Sequence, residues 1–225
     1  MKALLMNTTQ SRSLFEPRRA GAIGTIVILI ALLIVLGLPR LTSGDEAAAT
    51  IDVERKQVVD PPKELAEFTL TNQDGQPLSL SDLRGKPVLL FFGFTHCPDI
   101  CPATLAQFRQ VKRDLGERGG DVNFVFISVD GSRDTPEAVK AYVEQFDPEF
   151  VGLTGSEDEV RAIGGDFFVF FNRAQTEGTP SAAGYSVDHT TFTYLIDAGG
   201  SLRTIYPFQA PREMMVEDIE GLLTS

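Results

Sequence analysis

PVLLFFGFTHCPDICP, residues 87–102, decides the fold. Residues 87–94 form a continuous apolar run, the pattern of a strand covered on both faces of a sheet. A helix is expected from about 98 to 118, with Ala103, Leu105, Ala106, Phe108 and Val111 as its apolar positions and Gly119-Gly120 as its stop. Both cysteines of the chain, Cys97 and Cys101, therefore fall where a buried strand hands over to a helix. In α/β domains chemistry gathers at that place, just beyond the C-terminal end of a central strand.

The same alternation continues on both sides. FTLTN (68–72) and PLSLSDLRG (77–85) resemble short strands around a turn at Asp74-Gly75. NFVFISVD (123–130) is the next strand, and Thr135 and Pro136 are the cap and first residue of a helix whose body is 138–146. FVGLTG (150–155) is a strand, and SEDEVRAIGGDF opens a helix with a capping box of Ser156 and Glu159. TFTYLID (191–197), a turn at Gly199-Gly200 and SLRTIYPF (201–208) follow, and a last helix spans 211–223 with Met214, Met215, Ile219 and Leu222 apolar. Strand and helix in alternation, then an antiparallel pair and a helix, is the order of an α/β thioredoxin-like domain, a central mixed sheet flanked by helices.

With 225 residues the chain accommodates one such domain and little more. Residues 20–38 carry no charge and would span roughly 28 Å as a helix, close to the hydrocarbon thickness of a bilayer. Lys2, Arg12, Arg18 and Arg19 precede this run against a single acid, Glu16. The positive-inside rule then keeps 1–19 cytoplasmic, makes 20–38 a transmembrane anchor and exports the rest. A cleaved signal peptide is the rival, with small residues near Glu46, but its apolar region is normally shorter, ~7–15 residues. No cysteine lies near the run, which excludes a bacterial lipoprotein. Residues 39–62 have weak periodicity and end in a proline pair, so they are expected to be a flexible linker before a domain at 63–225; residues 40–62 could reach on the order of 75 Å. The short N-terminus lacks the acid-free, Arg- and Ser-rich character of a transit peptide. The expected location is the inner membrane, single-pass, with the C-terminal domain in the periplasm.

Residues 41–225 carry 15 Lys and Arg against 30 Asp and Glu, a balance of −15. Such a surface excludes nucleic acid and anionic membrane as partners. It is foremost a solvated acidic surface.

A pair of cysteines this close in sequence closes a tiny loop, so a structural disulfide there would stabilise little. A helix N-terminus, by contrast, favours thiolate over thiol. The spacing is C-x-x-x-C rather than the C-x-x-C of thioredoxin-type oxidoreductases. At i and i+4 both side chains share one helix face, with Cβ atoms about 5–6 Å apart, well suited to gripping an ion and near enough for a disulfide after adjustment. Two thiolates suit Cu(I), and an added imidazole would also hold Cu(II). Structural zinc would need four good ligands. The chain has only two imidazoles, His96 and His189. Adjacent side chains at a strand end point apart, which disfavours His96 as a partner of Cys97. His189 is placed on a loop directly before a strand and is the better third ligand. Asp188 beside it either orients a neighbour or is an ordinary exposed acid.

Four blocks in order, GKPVLLFFGFTHCPDICPATL, FISVDGSRDTPEAVKAYV, FVGLTGSEDEV and VDHTTFTYLID, resemble the Sco (SenC) family of copper-binding cytochrome c oxidase assembly factors. The likeness runs from about 64 to 223. It implies a thioredoxin-like fold with extra elements, one N-terminal anchor, and one copper held by Cys97, Cys101 and His189. It also implies a client, the copper-A site of cytochrome c oxidase subunit II, which receives copper or has its cysteines reduced. Residues 172–186 fall where the family carries a variable loop.

Two functions of different class follow. One is a metallochaperone that passes copper by ligand exchange, supplied by a periplasmic copper donor. The other is a thiol-disulfide oxidoreductase working through Cys97 and Cys101 by mixed disulfides, with a thiol reductant behind it. A peroxidase rests on fold likeness alone, which is no evidence of function.

Overall fold

The centre of the sheet is strand β4, Val88–Gly93, whose six residues are all buried. Its neighbours on one side are parallel, β5 (Asn123–Ser128) and then β6 (Val151–Thr154); on the other is antiparallel β9 (Thr193–Ile196). Strands β1 (Gln57–Glu64), β2 (Thr69–Asn72), β3 (Pro77–Ser79) and β10 (Ser201–Tyr206) complete an eight-stranded sheet in the order β1-β10-β9-β4-β5-β6-β2-β3. This is the mixed α/β sheet expected from the pattern. The computed structural model describes residues 55–174 and 185–224. The segments read as cytoplasmic, 1–19, and membrane-spanning, 20–38, lie outside the described residues, as does 39–54 of the linker. Among the described residues no helix is long and apolar enough to cross a membrane.

Helix α1 spans Ile100–Asp114 and buries Cys101, Thr104, Leu105, Phe108 and Val111, a stripe at spacings of three and four. Phe108 meets Phe124 of β5 and Phe150 at ring centroid distances of 5.9 and 6.4 Å. Fully burying each such side chain contributes about 1.5–3 kcal/mol, so the stripe fixes α1 on the sheet. The helix stops before the expected 118 because Gly116 adopts φ 61°, a left-handed conformation that only glycine takes at little cost.

Helix α2, Pro136–Val143, starts as expected, with Thr135 Oγ1 accepting from the Ala138 N–H. It lies so close to β6 that a Cβ on Gly152 would stand 2.3 Å from Val139 Cγ1. Helix α3, Glu157–Gly164, carries the expected capping box: Ser156 N–H donates to Glu159 Oε2 at 2.7 Å, and Glu159 N–H to Ser156 Oγ. Helix α4, Arg212–Leu223, is tied to α1 by an Arg212–Asp114 ion pair of 2.8 Å.

Three local readings are corrected. Residues 80–83 form a 3-10 turn and not a strand, because Asp82 takes the Ser79 N–H and breaks the ladder. Residues 57–62, read as linker, belong to β1, an edge strand antiparallel to β10. Pro61 and Pro62 fall inside its register shift, between Val58 and Lys63, where missing N–H donors do no harm. Finally, the two ends of 172–186, placed where the family carries a variable loop, belong to strands: β7 (Phe171–Ala174) and β8 (Ser186–His189) form a separate two-stranded ribbon. His189 therefore ends a strand and is not on a loop.

Candidate metal centre

The chain leaves β4 at Gly93 and enters α1 at Ile100. The link is held from below by Asp134, which is fully buried. Its carboxylate accepts from Thr95 N–H at 2.8 Å, Thr95 Oγ1 at 2.6 Å and Ser128 Oγ at 2.6 Å, and so fastens the link to the end of β5. Gly93 leaves room for the sulfur beyond it: a Cβ there would lie 2.8 Å from Cys101 Sγ.

Cys97 is half-buried and Cys101 buried. The Cys101 N–H, in the first turn of α1, donates to Cys97 Sγ at 3.4 Å. The Cys97 thiol is held well below the usual thiol range, first by the hydrogen bond from the Cys101 thiol, then by His189 and the backbone N–H groups of Cys101 and Asp99, against the opposing effect of burial. The Cys101 thiol is pushed up by that same bond to Cys97, by burial and by the Cys97 charge.

His189 enters from the ribbon. Its Nδ1 lies 2.8 Å from the Thr190 carbonyl, which can only accept, so the proton sits on Nδ1 and Nε2 presents its lone pair toward the sulfurs. Nε2 lies 3.6 Å from Cys101 Sγ. Phe91 and Phe94 stand edge-on to the imidazole, with centroids at 5.9 and 5.7 Å. The ligand atoms of Cys97, Cys101 and His189 all lie within 4.8 Å of one another. Two soft sulfurs and one imidazole nitrogen gathered this closely are a donor set suited to one thiophilic ion. Cys97 and His189 line a cleft of about 300 Å³ together with Pro98, Asp99, Val187 and Asp188.

The other two candidates lie apart. His96 is exposed and turns toward Asp134, its Nδ1 3.0 Å from Thr95 Oγ1 and 3.7 Å from Asp134 Oδ1. Asp188 is exposed, opposite Asn172 in the ribbon, and outside the cluster. The pattern reading did not single out Gly93, Asp134, Asp130 or Tyr185. Two acids in VDGSRD after an apolar strand look like an exposed turn, yet both are fully buried. The one signal was the company they keep, small and hydroxyl residues able to pair with them.

A thioredoxin-like sheet carrying two thiols and an imidazole at the edge of its central strand defines a thiol- and metal-binding class of protein. The SCO1/SenC family model matches residues 57–224. An SCO2-like protein of Rickettsia conorii is 37% identical over 196 residues, covering 84% of this chain and 93% of its own. The copper-bound structure of Bradyrhizobium japonicum ScoI superposes with a TM-score of 0.63 at 35% identity, covering 71% of this chain and 99% of that one. BsSco, described as having a disulfide switch and as a member of the Sco family of cytochrome c oxidase assembly proteins, matches with a TM-score of 0.59 at 27% identity, covering 76% of this chain and 98% of its own. The chain belongs to the SCO1/SenC family.

Proposed function

We propose that this protein binds one copper ion through Cys97, Cys101 and His189 and passes it to the copper-A site of cytochrome c oxidase subunit II. The observation that carries the reading is the convergence of two sulfurs and an imidazole nitrogen within 4.8 Å, with Cys97 and His189 lining a surface cleft. Copper is cargo here, so the site must release as well as hold. His189, on a ribbon outside the main sheet, is the ligand to leave first. An incoming thiolate takes its place, a second displaces Cys97, and Cys101 leaves last and takes up a proton, the state its burial favours. The oxidation state of copper does not change in this exchange.

The remaining parts rest on sequence. The uncharged run at 20–38 with its basic flank supports a single inner-membrane anchor, and 39–54 then tethers a periplasmic domain close to a membrane-bound client. A periplasmic copper donor would load the site.

A second reading is favoured by the lowered Cys97 thiol. Its thiolate would attack a client disulfide, and Cys101 would resolve the mixed disulfide, releasing two client thiols and leaving a Cys97–Cys101 disulfide for a thiol reductant to restore. Anaerobic titration of the full-length protein with Cu(I), then Cu(II), separates the readings. Saturation at one copper per chain, weakened by Cys97→Ala, Cys101→Ala and His189→Ala, is expected. No saturable binding, with disulfide reduction intact, would leave the oxidoreductase in its place.

A further inference from the structure

Among the described residues the β7–β8 ribbon forms no ladder with the main sheet, so contacts other than sheet hydrogen bonds set where His189 lies. At the start of β8 the Tyr185 hydroxyl donates to Asp130 Oδ1 at 2.6 Å. Asp130 is fully buried just past β5, where its N–H is fixed by Ser128 Oγ at 3.0 Å. The other carboxylate oxygen, Oδ2, pairs with Arg133 Nε. The Arg133 guanidinium lies 3.8 Å from the Tyr185 ring centroid, and its NH1 donates to the Tyr185 carbonyl at 3.1 Å. It also stands 6.0 Å from the centroid of Phe94, the ring that is edge-on to His189. Tyr185 is thus held at its hydroxyl, its ring face and its carbonyl. A bond from a hydroxyl to a carboxylate is among the stronger hydrogen bonds.

We infer that Tyr185 is a positioning residue for the metal centre: gripped by Asp130 and Arg133, it sets the approach of His189 to the two sulfurs and hence the rate of copper release. The inference rests on the copper reading above. His189 lies four residues further along the chain, at the end of the strand that begins right after Tyr185, so displacement at Tyr185 is carried over ~13 Å of extended backbone to the imidazole. Tyr185 itself touches no ligand atom; it acts through the strand.

The test measures copper loss from the loaded full-length protein to an excess of chelator, with the nitrogen hyperfine pattern of the Cu(II) form as a second readout. Tyr185→Phe keeps the ring under Arg133 and removes only the hydroxyl. It should release copper about fivefold faster, the equivalent of one net hydrogen bond, and weaken the nitrogen pattern. In a His189→Ala background the same change should add nothing, because its route to copper is gone. Tyr206→Phe is the matched control: its buried hydroxyl donates to Asp218 at 2.6 Å, within the main body. That variant should lose comparable stability with copper release unchanged. Wild-type release from Tyr185→Phe, equal acceleration with and without His189, or equal acceleration by Tyr206→Phe would each overturn the inference. If His189→Ala releases copper faster while Tyr185→Phe does not, the positioning role alone falls; if His189→Ala is itself unchanged, the three-ligand reading falls with it.

Discussion

The two cysteines and the histidine reach the same point from regions built differently. Cys97 lies in the link just before α1 and Cys101 in its first turn; the apolar stripe of that helix is locked against the central sheet and its entry is tied down by buried Asp134. His189 ends a two-stranded ribbon held by Phe171, Val187 and a few polar ties. The sulfurs inherit the rigidity of the core, and the imidazole that of a small ribbon. On the copper-transfer reading proposed above, that difference separates a part that keeps the ion from a part that lets it go.

The largest expected effect breaks the rigid side. Phe108→Ala removes a ring packed on Phe124 and Phe150 and should destabilise the domain by about 3–5 kcal/mol, read by denaturant unfolding. Next, Cys101→Ala or Cys97→Ala should weaken Cu(I) binding more than 100-fold, beyond the 10–100-fold of losing an outer partner, measured by competition with a chelator. Gly93→Ala comes third. The new Cβ would meet Cys101 Sγ, Phe91 and Phe126 inside 3 Å, so unfolding should show a loss of about 1–3 kcal/mol together with weaker copper binding. His189→Ala should weaken Cu(I) by on the order of 30-fold, since two thiolates remain, with no large change in thermal stability. An equal loss of stability from His189→Ala and Phe108→Ala would erase the distinction between the regions.

The smallest change needs no substitution. Because the Cys97 thiol titrates well below the usual range, it is already thiolate at neutral pH. Its alkylation rate in the copper-free protein should stay nearly flat from about pH 6 to 9, where an ordinary thiol with pKa near 8.5 speeds up steeply. Buried Cys101 should react far more slowly across that range, as mass spectrometry of the alkylated peptides would report.

The rigid region was also the legible one. Six apolar residues of β4, the stripe of α1 and the Ser156 and Thr135 caps are local signals, and the structure follows them closely. His189 was recognisable as the candidate third ligand because only two histidines exist and His96 is adjacent to Cys97. What holds His189 was not. The ribbon pairs residues 171–174 with 186–189, short runs of mixed polarity with no period-2 pattern over enough residues to stand out. The Tyr185–Asp130 bond joins positions 55 apart in sequence, and no local spacing encodes such a pairing. The edge strand β1 was hidden for a similar reason. Its proline pair resembles a linker, and only the partner β10 makes a bulged strand of it.

X-ray absorption at the copper edge of the Cu(I)-loaded full-length protein tests the central claim most directly. Two sulfur scatterers and one imidazole nitrogen, the nitrogen lost in His189→Ala and one sulfur lost in Cys97→Ala, is the predicted result. A sulfur-only shell in the wild type, or a nitrogen that persists in His189→Ala, would contradict it.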